Sequence, residues 1–246
     1  MGSLPDVLDT LFAPLETNNR ARIGVFLFPV VPVAIFLAIK LLAPDTYPTL
    51  ITEDSAVERL QALLYFAASA LAFSSFATLL KNRLTLTAIL YGMLAFGLLL
   101  VAIEEMSWGQ RVFEIATPAY FAAHNTQNEI SLHNLDFIQP ILHNIYIAAG
   151  AYGAFSWVVA ALPASETKRN CRHILNYVTT DWFVSSYFFC TAFMYTLLEY
   201  IARPHPGGFL IWRDQEPAEL LFALGFFLLL ATKRVRLRRC LEGRAA

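Results

Sequence analysis

The chain has 246 residues, of which 57% are hydrophobic and only 15% are charged, and its mean hydropathy is +0.52. Soluble domains carry about 25% charged residues, so this composition favours a membrane protein over a soluble domain. The net charge of −1 excludes the strongly basic nucleic-acid-binding classes, and no glycine-rich phosphate loop or RNA-binding motif occurs. Three scattered cysteines, Cys171, Cys190 and Cys240, predict no disulfide.

Six apolar runs are long enough to cross a bilayer, which takes roughly 20 residues. They cover residues 23–43, 58–80, 85–106, 138–162, 181–201 and 216–232. Pro29 and Pro32 predict a kink in the first run. We therefore expect one integral membrane domain over residues 1–246, an all-α polytopic bundle of six transmembrane helices. A soluble helical protein with a very apolar core is the alternative.

Basic residues in the short loops predict the orientation of the bundle. They precede the first run, follow the second and the fourth, and follow the sixth, where a basic tail covers residues 233–246. This alternation predicts that both termini lie in the cytoplasm and that three loops lie outside. Arg111, Arg203 and Arg213 fall on the outer side against the trend, which favours an anionic partner there.

Residues 107–137, between the third and fourth runs, are predicted to form a short interfacial helical cap over the outer end of the bundle. Thr117 followed by Pro118 favours a helix start with the threonine as N-cap. The segment TQNE at 126–129 has the spacing of a capping box, which predicts a second short helix through Asn134.

Polar side chains concentrate at the predicted outer ends of the runs, often on one helical face. They are Glu58, Gln61 and Tyr65 on the second run, Glu104, Trp108 and Arg111 with Glu105 on the third, Gln139, His143 and Tyr146 on the fourth, Tyr195, Glu199 and Arg203 on the fifth, and Glu216 and Glu219 on the sixth. The cytoplasmic halves show no comparable pattern. The sequence therefore predicts a site at the outer face, although Asp54, Glu216 and Glu219 are expected to be solvated helix ends.

Two adjacent carboxylates, Glu104 and Glu105, follow a long apolar run. Two carboxylates this close repel each other, so a proton, a cation or an arginine should compensate them. Arg111 and Arg203 are the candidate arginines. The pair is therefore predicted to lie in a pocket rather than in bulk water.

Histidines and carboxylates near the cap raise the question of a metal site, since Glu129 and His133 are four residues apart. His124 and His143 complete the set. However, the sequence has no HExxH, no paired ExxH and no histidine-rich box. A hydrogen-bonded network, structural or substrate-binding, is the favoured interpretation and a metal site is the alternative, so no metal or cofactor is assigned. No Ser–His–Asp signature indicates nucleophilic catalysis.

A string of motifs carries a family resemblance. The motifs are ED…E…LLYF (Glu53, Asp54 and Glu58, then LLYF at 63–66), EExSWGQRxF from Glu104 to Phe113, TPxxF from Thr117 to Phe121 and NxQxExxLHN from Asn125 to Asn134. Together they resemble an uncharacterised family of bacterial multipass membrane proteins. The resemblance covers the second to fourth runs. It implies a bacterial inner (cytoplasmic) membrane and a shared site, and it carries no activity.

The predicted site residues rest partly on this resemblance and fall into three groups. Glu104, Glu105 and His133 are candidates for catalysis; Trp108, Gln110, Arg111, Asn125, Gln127, Glu129, Asn134, Glu199 and Arg203 for substrate binding; and Glu58, Gln61, His143 and Tyr146 for supporting positions behind them.

Three functions remain open. The first is an enzyme or binding protein for a membrane lipid or lipid-linked anionic substrate at the outer leaflet, with carboxylates as acid and base, arginines on the anionic group and Trp108 beside the apolar chain. The second is a non-catalytic subunit that docks other membrane subunits through the cap. The third is a transporter or proton-coupled carrier, which is disfavoured because transporter sites usually lie near the midplane.

Overall fold

The structure is a computed structural model that describes residues 7, 10–52, 55–110, 113–125, 128–162, 174–205 and 207–241, and the backbone of 242–245. Helices make up 79% of it, and no strand forms in these ranges. A single isolated bridge joins Asn125 to Leu135. The prediction of an all-α protein is therefore confirmed.

The main helices are labelled in chain order. They are α1 Asn19–Leu27, α2 Val30–Leu42, α3 Ala56–Lys81, α4 Thr85–Glu105, α5 Ala119–His124, α6 Gln139–Ala161, α7 Ser185–Thr196 and α8 Glu216–Ala245. Shorter elements are the α-helical Pro14–Thr17 and Tyr47–Ile51, the 3-10 turns Ser107–Gly109, Trp182–Val184 and Trp212–Gln215, and the π turn Leu197–Ile201. Residues 10–12 and 174–178 are also helical.

Four helical stretches within the described ranges are long and apolar enough to cross a membrane. They are Asn19–Leu42, Tyr47–Lys81 (which runs across residues 53–54, outside the described ranges), Thr85–Glu105 and Gln139–Ala161. These stretches coincide with the first four predicted runs and fit a membrane protein. The fifth run is a 12-residue α7 followed by the π turn. The sixth lies in α8, which is charged at both ends of its apolar segment.

The first of these stretches is interrupted where its prolines lie. Helix α1 ends at Leu27 and α2 begins at Val30, with Phe28 and Pro29 between them. Proline has no backbone N–H to donate to the preceding turn, so the hydrogen-bond ladder breaks there. Neither α1 nor α2 contributes a buried side chain, so this part of the chain lies on the outside of the bundle.

Helix α3 lies at the centre of the bundle, packed against α4 on one side and α8 on the other. Small residues such as Ala68 and Ala72, both fully buried, allow this close approach. Helix α7 packs against α6 and α8. Glycines make the α6–α7 contact possible, since a Cβ atom on Gly153 would lie 2.3 Å from Cγ of Phe188.

The region between α4 and α6 corrects two sequence predictions. The N-cap of α5 is Pro118, so Thr117 does not cap the helix, and its hydroxyl donates instead to the carbonyl of Asn128 at 2.7 Å. Residues 128–134 form bends and turns, so the predicted second short helix is absent from the described part of this region. Thr126 and Gln127 lie outside the described residues.

The opposite end of the bundle also differs from the prediction, because it carries a partly buried ion network. The Arg236 guanidinium donates to Glu16 at 3.0 Å and to Asp181 at 3.1 Å, and the buried Lys233 ammonium lies 3.2 Å from Asp181. Helix α8 continues through the predicted tail to Ala245 and supplies both cations. The expectation that polar groups gather at one end only is therefore wrong.

Candidate functional site

The region from Ser107 to Ile138 that follows α4, called the cap below, is organised around a buried carboxylate, Glu129. The hydroxyls of Ser107 and Ser131 donate to it at 2.5 and 2.8 Å, and the Asn134 amide donates at 2.7 Å. Burial opposes ionisation, but these donors and the charge of His133 outweigh it and lower the pKa of Glu129. A buried carboxylate with three donors fixes the loop around it.

Two further predicted residues extend this network. The Asn125 amide donates to the carbonyl and the hydroxyl of Ser131 at 3.0 and 3.1 Å. The Gln110 amide donates to the hydroxyl of Thr117 at 2.8 Å, and its oxygen accepts the backbone N–H of Ile130 at 2.5 Å. Both side chains are buried, so the structure places them among the residues that hold the cap together.

Glu104 joins the cap to the end of α4. Its Oε1 accepts the indole N–H of Trp108 at 2.6 Å, and its Oε2 accepts the backbone N–H groups of Leu132 at 2.6 Å and His133 at 3.1 Å. Helix α4 ends at Glu105, and Trp108 has a φ of 54°. The indole therefore returns to Glu104 through a left-handed turn and not along one continuous helical face.

His133 completes the compensation of Glu104. Its Nδ1 lies 3.3 Å from Oε2 of Glu104. Burial lowers the pKa of His133, but the hydrogen bond and the charges of Glu104, Glu129 and Glu219 outweigh burial and raise it. The compensation expected from an arginine is thus supplied, among the described residues, by a histidine, an indole and two backbone donors.

A cavity of about 370 Å³, called the polar cavity, lies beneath the cap. Acidic and hydrogen-bonding side chains from five helices and the cap line it, including Glu58 on α3, Glu104 and Glu105 on α4, Trp108, His133 and Asn134 in the cap, Gln139, His143 and Tyr146 on α6, Tyr195 on α7, and Glu216 and Glu219 on α8. Leu100, Val101 and Leu142 belong to its apolar wall. Eight of the predicted site residues therefore meet in one cavity.

The remaining predicted site residues lie elsewhere. Gln61 is fully buried behind the cavity and donates to the backbone carbonyl of Glu216 at 3.1 Å. Arg203 is exposed, and its guanidinium donates to the backbone carbonyl of Glu199 at 3.3 Å. It does not line the polar cavity. Arg111 and Gln127 lie outside the described residues.

A second cavity, of about 460 Å³, shares part of its lining with the polar cavity and is called the vestibule. The two share Asn134, Gln139, His143 and Gln215, and the vestibule adds Asp136, Pro140, Glu199, Trp212 and Arg213. Nδ1 of His143 lies 3.1 Å from Oε2 of Glu199, and the imidazole stacks on Trp212 at 5.9 Å. Glu199 sits in the π turn after α7, an irregularity that often marks functional sites.

A third space, the apolar groove of about 300 Å³, runs between α4 and α6. It shares Val101, Leu142 and Tyr146 with the polar cavity, and most of its other lining is aliphatic or aromatic. Met93 and Ile145 on its walls are 67% and 54% exposed, so the groove faces the flank of the bundle. The polar cavity thus shares one part of its lining with the vestibule and another part with the apolar groove, so the three spaces adjoin in an order that runs from polar to apolar.

The sequence missed a partly buried cluster beside this site. Lys40 pairs with the carboxylate of Asp214, which also accepts the hydroxyl of Tyr47 at 2.7 Å and the backbone N–H of Ile211 at 2.8 Å. The Lys40 ammonium lies over the ring of Phe209 at 4.7 Å. A lysine inside an otherwise apolar run was the available signal. The cluster fastens α2 to the turn before α8.

Tyr195 is a second residue whose role the helical spacing did not reveal. Its hydroxyl donates to Glu219, and its ring stacks on Tyr146 at 4.6 Å. The buried Glu219 is therefore held inside the bundle and is not the solvated helix end that was expected. Tyr146 in turn is fixed at the junction of the polar cavity and the apolar groove.

Among the residues that the structure describes, no group of three or more His, Cys, Asp or Glu side chains is placed to hold a metal ion. His124 and Asp136 approach to 4.0 Å on the cap surface. Fold and cavities together define a class: an all-helical protein with helices that fit a membrane and a polar cavity at one end of its bundle. No family model, curated protein or solved structure matches the chain.

Proposed function

We propose that this chain is a multipass protein of the bacterial inner membrane, with six spans and both termini in the cytoplasm. The alternation of basic segments supports this orientation, since short cytoplasmic loops carry the excess of lysine and arginine. In this orientation the cap lies at the outer interface. Exposed aromatic residues on it, including Phe113, Tyr120 and Phe137, suit the headgroup level of a bilayer.

The function that the geometry supports best is binding of a membrane lipid or lipid-linked substrate at the outer leaflet. The observation that carries this proposal is the shared wall of Val101, Leu142 and Tyr146 between the polar cavity and the apolar groove. A hydrogen-bonding headgroup fits the first space and an apolar chain fits the second. Because the groove faces the flank, the chain can enter from the bilayer without crossing water.

The side chains that line the cavities indicate which charge the bound headgroup carries. An anionic substrate was expected from Arg111 and Arg203, but Arg203 is off the cavity and Arg111 lies outside the described residues. Arg213 lines the vestibule, whereas five glutamates line the polar cavity. An anionic group is therefore proposed to sit in the vestibule near Arg213, with the neutral part that joins it to the chains in the polar cavity.

Native mass spectrometry of protein extracted gently from its own membranes tests lipid binding. A Cβ atom on Gly97 in the groove would have no heavy atom within 4 Å, so Gly97→Phe fills the groove without a clash at the backbone. Gly24 on α1 is equally open, and Gly24→Phe is the matched control. We expect the wild type and the control to retain lipid and Gly97→Phe to lose it. Equal retention by all three proteins excludes the groove as the binding site.

Acid–base catalysis is a second candidate function, and the His143–Glu199 pair favours it. With Nδ1 directed at a carboxylate, the imidazole is oriented and Nε2 is left to accept a proton. In a hydrolysis, Nε2 would take a proton from water as the water oxygen bonds to the headgroup ester, and would return that proton to the leaving oxygen. Incorporation of ¹⁸O from labelled water into lipid products by the wild type but not by His143→Gln supports this step. If the wild type incorporates no ¹⁸O, hydrolysis is excluded and lipid binding without catalysis is the remaining function.

A further inference from the structure

We propose that Tyr65 selects the occupant of the apolar groove by donating a hydrogen bond to a carbonyl oxygen where headgroup and chain join. The occupant is then an acyl lipid, with its chains linked through carbonyl groups. This inference rests on the proposed lipid-binding function and narrows its ligand.

The first observation is an unpartnered hydroxyl. Tyr65 is 1% exposed, and its buried hydroxyl makes no hydrogen bond of normal geometry in the described part of the chain, where Tyr146 is the one side chain that interacts with it as a poorly placed hydrogen-bond partner. A buried donor without an acceptor is costly, and native proteins satisfy almost all of them. The side chain also lines the apolar groove, where most other lining groups are aliphatic or aromatic. An acceptor carried in by a ligand satisfies this donor.

The second observation is the depth of Tyr65. It follows Glu58, which lines the polar cavity, by seven residues on the same helix and the same face. At the rise of an α-helix, that separation is about 10 Å along the axis. Tyr146, which borders both spaces, lies at the same junction. A headgroup held at the level of Glu58 therefore places the first atoms of its chains near Tyr65.

The hydroxyl is enclosed when the groove is empty, so the carbonyl reaches it through a rotation of the Tyr65 side chain toward the chain of the ligand. Tyr65→Phe removes the donor and keeps the ring. Tyr91→Phe is the matched control, because Tyr91 is also buried, and its hydroxyl donates to the backbone carbonyl of Tyr177 at 3.0 Å, outside the groove.

The experiment measures the binding of phosphatidylglycerol that carries either two ester-linked or two ether-linked chains of equal length, to delipidated protein in detergent. We expect the wild type and Tyr91→Phe to prefer the ester-linked lipid by about ten-fold, the worth of one hydrogen bond, and Tyr65→Phe to lose that preference. The empty Tyr65→Phe protein should also unfold at a higher temperature than the wild type, because it lacks an unsatisfied polar group.

The outcomes separate this inference from the function beneath it. If Gly97→Phe abolishes binding of both lipids while the wild type binds them equally, lipid binding stands and the role of Tyr65 is overturned. An ester preference that survives in Tyr65→Phe overturns it as well. If Gly97→Phe binds both lipids as the wild type does, the groove is not the site, and both proposals fail.

Discussion

Replacement of Glu104 by glutamine tests whether this carboxylate holds the cap on the bundle. Three N–H groups, from Trp108, Leu132 and His133, donate to its two oxygens. Hydrogen bonds to a charged group contribute roughly 1.5–3 kcal/mol each, and neutral ones roughly 0.5–1.5 kcal/mol. Glutamine offers one acceptor oxygen in place of two. Glu104→Gln is therefore expected to destabilise the closed cap by about 2–4 kcal/mol.

Hydrogen exchange at the backbone amides of Leu132 and His133 measures this loss of stability directly, because both N–H groups donate to the carboxylate of Glu104. The expected loss corresponds to exchange that is roughly 30- to 1,000-fold faster. Trp108→Phe is the control, since it removes one donor and leaves the carboxylate in place. Because that hydrogen bond is exposed, its loss lies at the low end of the range, about 1.5 kcal/mol, and should accelerate exchange about ten-fold. If exchange is unchanged in a folded Glu104→Gln protein, the structural role is refuted, and the carboxylate is instead assigned to contact with the ligand.

Three further predictions concern the cap and the bundle. The pKa of Glu129 in the folded protein lies below its ordinary value of 4.5, so the ionised carboxylate stabilises the cap fully at pH values above 4.5. This stabilisation is lost as the pH falls through the lower pKa of the folded state. Tryptophan fluorescence should report a cap transition in that acid range, and Glu129→Gln should remove it. Asp214→Ala leaves Lys40 without its carboxylate, and the free energy of unfolding in detergent should fall by about 3 kcal/mol, against about 1 kcal/mol for Tyr47→Phe. Gly150→Ala places a Cβ atom 2.9 Å from backbone atoms of α7, so α6 and α7 must separate, and the unfolding temperature should fall.

Local patterns predicted the helices well. Apolar length located the four stretches that fit a membrane, and the two prolines marked the break between α1 and α2. The all-α class followed from the composition together with the lengths of the apolar runs. The bounds of the last two predicted spans were less accessible, because α8 continues through its basic segment and α7 gives way to a π turn around Glu199. Neither feature has a periodic signature.

The sequence predicted many of the residues that line the site, but not how their side chains contact one another. Helical spacing brought Glu58, Glu104 and His143 to one end, and the cavity collects them. Spacing could not show that Trp108 turns back through a positive φ, nor that Lys40 meets Asp214 across 174 positions. Such contacts depend on tertiary packing, which one-dimensional patterns do not contain.

Ion pairs at the opposite end of the bundle were missed for a related reason. Lys233 and Arg236 resemble a solvated basic tail, and their partners Glu16 and Asp181 are distant in sequence. Because these ion pairs also place polar groups inside the opposite end of the bundle, polar side chains alone do not distinguish the cap end. What distinguishes the cap end is therefore its cavity and the groove beside it, not polarity alone.

The decisive measurement for lipid binding is a structure of the protein in nanodiscs made from its own membranes. We expect one continuous density for a bound lipid, with its head between His143 and Glu105 and its chain passing Tyr146 to Gly97. A groove closed by the protein's own side chains, or a polar cavity that holds only water while lipid lies elsewhere on the flank, would contradict it.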